Sequence, residues 1–524
     1  MLEPFSIVLA LCVLISLLVM LSDKIKVAYP ILLVLAGLAL CFIPNTPQVK
    51  IDPNLIFIIF LPPLLYEAAW ANSWKEIYKW RRIIGSFAFI IVFLTAVAVA
   101  FVTNWLIPGF PLVLGFLLGG VVSPPDAVSA GAILKFVKVP KRIATILEGE
   151  SLFNDASSLI IMRFALIAVT TGQFIWQQAM TSFAWMIFGG IGIGILIAFV
   201  FSFAHKRLPT NANIDVIFTL VAPYIMYIAA EELHASGVMS VVCGGLYLSN
   251  VQYTFLDSSS RIQGIAVWKS FTFLLNGMVF LLIGLDMPEI MTGLRTDGID
   301  FLKATGYGLI VTAVLIIGRL FAAYGAVFVT KIMSNFITVA DTRTDFKAPA
   351  VVGWAGMRGV VSLAAALSIP LTLEDGSAFP FRSLILYITF VVILVTLVFQ
   401  GLTLPYLIKV LKLKDYNDHI SEEETEKIIF QTIRKATQEF IQSTPDQRCQ
   451  NPQLKRIADF WLKDMEDENQ TERLMSEETK EIFSELIEYQ RSALVGLNKE
   501  RKDIEEEVIR KYIYRLDLTE QRMK

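Results

Sequence analysis

Between residues 5 and 411 the chain returns repeatedly to apolar runs of about twenty residues, and no other feature restricts its fold so tightly. Runs of that length match a hydrocarbon layer roughly 30 Å thick. A backbone that crosses lipid must satisfy its own hydrogen bonds, so these runs have to be helices. Thirteen are placed, over residues 5–22, 27–44, 54–70, 83–107, 111–134, 143–171, 178–204, 212–231, 236–250, 264–285, 304–330, 349–370 and 383–411. The first has no Lys or Arg on its amino side, unlike a cleaved signal peptide, and is read as a retained helix. Charge falls elsewhere: residues 413–524 hold 26 acidic and 19 basic side chains, against 21 and 26 in the first 412. The expected fold is therefore an all-α polytopic membrane protein, residues 1–412, followed by a cytosolic helical tail, residues 413–524.

Orientation follows from Lys and Arg in alternate loops. One set holds Lys24, Lys26, Lys75, Lys79, Arg81, Arg82, Lys135, Lys138, Lys141, Arg142, Lys206, Arg207, Arg261, Lys331, Arg343 and Lys347, and the other only Lys50, Arg295, Lys303 and Arg382. Sixteen against four puts the amino terminus outside and the tail in the cytoplasm of a cell (inner) membrane. A net charge of −2 offers no basic surplus for nucleic acid. Cys12, Cys41, Cys243 and Cys449, and His205, His234 and His419, are too scattered for a disulfide framework or a Cys/His metal cluster.

Two stretches cannot run straight. The fifth contains Ser123, Pro124, Pro125 and Asp126, and adjacent prolines remove backbone donors and clash with the preceding turn. The twelfth carries Gly353, Gly356, Arg358 and Gly359. Irregular backbone at membrane depth survives only inside protein or beside a watery cavity. These two are the fifth members of two sets of six stretches, with the seventh between them reversing the second set. An inverted repeat broken at matching positions is the pattern of a secondary transporter's substrate site.

The sixth stretch reads Glu148, Gly149, Glu150, Ser151, Leu152, Phe153, Asn154, Asp155. At 1.5 Å per residue from its cytoplasmic start, Asp155 lies roughly 18 Å deep, near the bilayer centre. An ionised carboxylate there costs at least about 2.5 kcal/mol, which marks it as functional. Ser151 is one turn away on the same face, and a hydroxyl with a carboxylate suits a small hard cation. Arg319, at similar depth in the eleventh stretch, needs an acid; Glu150 or Asp155 is the expected partner. Arg358 is expected to offset helix ends at the break or to stand in for a cation.

Gly149 to Asp155 (GESLFND), Val122 to Val128 (VSPPDAV), Leu61 to Glu67 (LPPLLYE) and Gly356 to Gly359 (GMRG) together resemble the signatures of the sodium/proton exchanger family of monovalent cation/proton antiporters, in its bacterial form. The resemblance covers residues 1–412. It implies a homodimer in the lipid bilayer, with a core (about 83–171 and 304–411) that holds two crossed broken helices, and dimerisation helices (about 5–70 and 178–285). It implies that Asp155 carries the ion or the proton, with Ser151 as fellow ligand of the monovalent cation and Asn154 and Asp126 beside it. It pairs Glu150 with Arg319, and matches Arg358 to the arginine of the broken twelfth helix and Glu67 to the acid after the paired prolines. Where many relatives have threonine, Pro125 stands here, so Ser123 or a freed carbonyl is expected to substitute.

The function expected is secondary-active Na⁺/H⁺ exchange, with K⁺ or Li⁺ as further cargo, by alternating access and competition at Asp155. No cofactor is expected beyond the transported ions, and no enzymatic activity. One exchangeable carboxylate, with Asn154 where charge-moving relatives have aspartate, implies electroneutral exchange. Two other classes were weighed. An intramembrane aspartyl protease would need GxGD and YD motifs, and no stretch holds either. A membrane sensor would keep the antiporter body and signal through its tail. Arg163 and Lys269 are read as snorkelling to the interface, and Gly189, Gly190, Gly192 and Gly194 as a close-packing surface. In the tail Ile428, Ile429, Ile433, Phe440, Phe460, Ile482, Leu486 and Ile504 recur as one helical face, expected to pack on itself or a symmetry mate, with a regulatory contact as the second reading.

Overall fold

The structure, a computed structural model, describes residues 2–41, 53–172, 176–336, 346–373, 376–413, 420–443 and 477–523. Lys50, Arg343, His419, Cys449 and Phe460 lie outside the described residues. Every expected stretch carries helix. In chain order these are α1 (Leu2–Ile25), α2 (Tyr29–Leu40), α3 (Pro53–Ala71), α4 (Trp74–Gly85), α5 (Val92–Leu106), α6 (Leu112–Val122), α7 (Ala127–Leu134), α8 (Lys141–Thr171), α9 (Trp176–Arg207), α10 (Ala212–Glu232), α11 (Gly237–Val251), α12 (Ser258–Leu285), α13 (Met287–Thr296), α14 (Phe301–Met333), α15 (Lys347–Trp354), α16 (Val360–Leu367), α17 (Arg382–Val395), α18 (Gly401–Leu411), α19 (Glu422–Ser443), α20 (Glu477–Glu500) and α21 (Glu506–Met523). Among the described residues nine helices are long and apolar enough to cross a membrane, counting α4 with α5, α6 with α7, α12 with α13 and α17 with α18 as one each.

Three departures from the sequence reading have local causes. The fourth stretch begins at Trp74, not 83: Ser73 accepts from the Glu76 amide and starts α4, which buries Ile77, Trp80 and Ile84 while its basic residues lie on the same helix rather than in a loop. α13 was not expected, because it is short and amphipathic, with only Ile290 and Leu294 buried. Two wide π turns, Ser86–Ile91 and Thr396–Gln400, interrupt the fourth and thirteenth stretches. Such bulges redirect side chains and are frequent at functional sites.

The chain forms two compact units. The first comprises Met1–Phe201, Leu220–Ser249 and Lys269–Asp415. Its interior is apolar side chains such as Leu117, Leu147, Leu315, Ile385 and Ile388. The glycine surface of α9 packs as expected at Gly194, where a β-carbon would lie 2.1 Å from the Ser240 carbonyl oxygen of α11.

The second unit comprises Ser202–Thr219, Asn250–Trp268 and Tyr416–Lys524. Its tail is three described helices, whose expected apolar face is buried at Ile429, Ile433, Ile482, Leu486 and Ile504. Tyr253, from the segment before α12, packs against that core. Arg261 of α12 reaches Asp517 of α21 with Nη2–Oδ1 at 2.5 Å and Nε–Oδ2 at 2.8 Å. Arg491 of α20 donates to Asp517 as well, at 3.1 Å, and to Glu520 at 2.7 Å. Burial alone would lower the Arg491 pKa, but Asp517, Glu520 and Glu488 outweigh it and hold the group above the ordinary arginine value. In the same unit His205 lies 2.8 Å from Asp215, which also accepts from Ser260 at 2.7 Å.

Candidate ion-binding site

The site is built where two helices break. α6 ends at Val122; Pro124 and Pro125 withhold amide donors, and α7 restarts at Ala127. The new helix needs a cap. Asp126 supplies it, accepting from the amides of Val128 and Ser129 at 3.1 and 3.2 Å and from the Ser129 hydroxyl at 2.5 Å. The second break, between α15 and α16, touches the first: the Asp126 amide donates to the Met357 carbonyl at 2.8 Å. That approach requires glycine. A β-carbon on Gly359 would stand 2.2 Å from Asp126 Oδ2, and one on Gly356 2.3 Å from Arg319 Cδ.

Helix ends facing each other bring carbonyl-rich, negative C-termini together. Arg358, 1% exposed, answers two of them: Nε donates to the Val122 carbonyl at 2.6 Å and Nη1 to that of Gly356 at 2.5 Å. Its amide donates to Thr396 Oγ1 at 3.1 Å, which ties the second π turn to the break.

α8 lies against both. Its Glu150 is fully buried and forms a two-pronged pair with Arg319 of α14, at 2.6 and 2.8 Å. Arg319 also donates to the Val352 carbonyl at 3.2 Å. Asn154 Nδ2 donates to the Pro125 carbonyl at 3.0 Å, occupying one oxygen freed by the prolines, while its buried Oδ1 has no hydrogen-bond partner. Ser151 Oγ accepts from the Ala127 amide at 3.1 Å. The Ser157 hydroxyl bonds the Ala88 carbonyl of the first π turn. Asp155 is 7% exposed, and among the described residues no group donates a hydrogen bond to its carboxylate.

What Asp155 faces is a cavity of about 100 Å³. At about 10–15 Å³ per water-sized occupant, it has room for a cation with several waters. Asp126, Ser151 and Asp155 line it together, as the sequence predicts. Ser123 does not: its hydroxyl is turned back to the Gly119 carbonyl at 2.5 Å. Glu67 is half-buried on α3 and outside the lining. Three further polar residues line the cavity: Asn72, Glu148 and Asn276. Asn276 carries a visible signal, an amide in the apolar run 271–285. Arg163 pairs with Glu231 at 3.5 Å, both more than a third exposed, consistent with a side chain reaching outward.

The model of the transmembrane sodium/hydrogen exchanger family matches residues 7–410. The chain belongs to that family. It is a multi-pass membrane protein, and the family resemblance of its four motifs is borne out. It is 33% identical over 389 residues to the "Sodium, potassium, lithium and rubidium/H(+) antiporter" of Bacillus subtilis, an alignment that covers 72% of this chain and 57% of that one. The chain thus spans under two thirds of that relative's length. With the Na⁺/H⁺ antiporter ApNhaP of Aphanothece halophytica it shares 34% over 415 residues, 79% of this chain and 75% of the relative. Its fold is similar to that of the sodium proton antiporter MjNhaP1 from Methanocaldococcus jannaschii, with a TM-score of 0.62, 18% identity, and coverage of 79% and 99% of the two chains.

Proposed function

We propose that this exchanger-family chain is a secondary-active antiporter in which a monovalent cation and a proton compete for Asp155. The observation that carries the reading is the state of that carboxylate: mid-helix in α8, without a donor or a cation of its own, facing a cavity shared with Asp126 and Ser151. A buried carboxylate left so must find its partner in solution, as H⁺ or as a hard cation. Competition then makes exchange obligatory, because each ion discharges the other. Na⁺ is the first expected cargo; the name of the Bacillus subtilis relative adds potassium, lithium and rubidium. Alternating access by a core moving past dimerisation helices in a homodimer follows from the family resemblance. So does placement in the cell membrane, while the loop charges favour the amino terminus outside and the tail inside.

The experiment is reconstitution into liposomes with an internal pH dye, followed by pulses of Na⁺, K⁺ and Li⁺. Each pulse that finds a carried ion is expected to dissipate an imposed pH gradient. Asp155→Asn, which keeps shape and removes charge, is expected to abolish the response to every cation while the protein still folds and dimerises. Exchange retained in that variant would sink the reading. Cation binding without exchange in the unaltered protein would favour a sensor that signals through its tail.

A further inference from the structure

One residue of α12 reaches the cavity, whose lining otherwise comes mainly from α3, α8 and α16. Leu275, Val279 and Leu282 of α12 pack with Phe60 of α3 and Ala364 of α16 in an apolar cluster. Asn276, next to Leu275, instead lines the cavity that holds Asp126, Ser151 and Asp155. Its Oδ1 is buried and, among the described residues, has no hydrogen-bond partner. Leaving a buried amide oxygen unsatisfied costs about 1–3 kcal/mol, so an apolar residue would be cheaper here if packing were the whole role.

Asp126 and Asp155 accept when ionised and do not donate. The Asn72 amide nitrogen is engaged with the Ala68 carbonyl at 2.8 Å. What satisfies an amide oxygen beside carboxylates is a hard cation, or the water that it carries. A neutral oxygen also replaces a water ligand without changing the charge of the site.

We infer that Asn276 is a specificity-determining residue of the exchange, its Oδ1 taking the place of one water ligand on a monovalent cation held at Asp155. The inference rests on the antiporter reading and assigns it a ligand from α12. A proton needs no such ligand, so the residue acts on the cation half of the competition alone.

The test uses the full chain, solubilised in detergent and reconstituted in liposomes. Half-saturating Na⁺ is measured twice, from Na⁺-dependent thermal stabilisation and from exchange. Asn276→Ala is expected to raise both values about tenfold, the equivalent of roughly 1.4 kcal/mol, with maximal rate and the pH profile at saturating Na⁺ unchanged. Asn276→Gln, which keeps the amide oxygen, is expected to recover most of the loss. Should Asn276→Ala not fold, Asn276→Val, closer in volume, carries the same expectation. Wild-type half-saturation in the Ala or Val variant, or a lower maximal rate at unchanged half-saturation, would overturn the inference and leave a packing residue. If the unaltered protein binds Na⁺ without exchanging it, the antiporter reading falls while the binding titration still decides Asn276. An unaltered protein that neither binds nor exchanges Na⁺, K⁺ or Li⁺ overturns both.

Discussion

Glu150 and Asp155 lie five residues apart on α8, and only Glu150 has a cation of its own. Arg319 holds Glu150 with two short hydrogen bonds, whereas Asp155 looks into the cavity with no donor among the described residues. One carboxylate is thereby neutralised within the fold, and the other is left open to the cavity. Family membership and geometry meet in that division. A helix that paired both acids would have no vacancy for cargo, and one that paired neither would bury two charges at a cost of several kcal/mol each.

If the Glu150–Arg319 pair is structural, removing one member strands the other in a low-dielectric interior. Glu150→Ala and Arg319→Ala are each expected to lower the melting temperature of the detergent-solubilised protein, by an equivalent of about 3–5 kcal/mol. The double variant is expected to recover part of that loss, since no charge is then stranded. Strictly additive losses would mean that the two do not act as a pair.

Asp517 stands between Arg261 and Arg491, all three with side chains no more than 4% exposed. Arg261→Ala leaves Asp517 its second arginine, whereas Asp517→Ala takes from Arg261 its carboxylate and leaves Arg491 with Glu520 and Glu488. Hydrogen exchange of the α21 amides in the second unit is therefore expected to accelerate modestly in Arg261→Ala, and by roughly a hundredfold or more in Asp517→Ala, on the scale of a stranded buried charge. Equal effects of the two substitutions would rule out the bridging role of Asp517.

Much of this was legible in the residues. Apolar runs fix where helices lie because lipid permits nothing else, and Pro124 with Pro125 announce the break because the chemistry of proline is local. Depth on a helix singles out Asp155, and charge balance requires an acid for Arg319 but leaves Glu150 and Asp155 both open; the family resemblance is what pairs it with Glu150. What stayed hidden depends on partners far along the chain. Ser123 looked like a substitute ligand by position, yet its hydroxyl bonds the previous turn, and Asn154 takes the freed Pro125 carbonyl instead. Neither the π turns nor the Arg261–Asp517 contact has a periodic signature: one is a register change within an apolar run, the other a meeting of residues 256 positions apart.

Charge balance across the membrane is the remaining consequence of the site. Asp126 is committed to capping α7 through three hydrogen bonds, Glu150 is committed to Arg319, and position 154 is an asparagine that carries no charge. If Asp155 is the single carboxylate that exchanges ions, the loaded site has the same charge with Na⁺ as with H⁺, and exchange is one for one. Such a cycle is indifferent to membrane potential, whereas each net charge moved through 100 mV is worth about 2.3 kcal/mol. In liposomes with fixed Na⁺ and pH gradients and a valinomycin-clamped potential, the pH gradient at which net flux vanishes is expected not to move as the voltage is stepped. Asn154→Asp, which adds a second acid beside Asp155, is expected to make that null point voltage-dependent if the variant still exchanges. A null point that already shifts in the unaltered protein would mean that Asp126, Glu67 or Glu148 also takes up and releases a proton in the cycle.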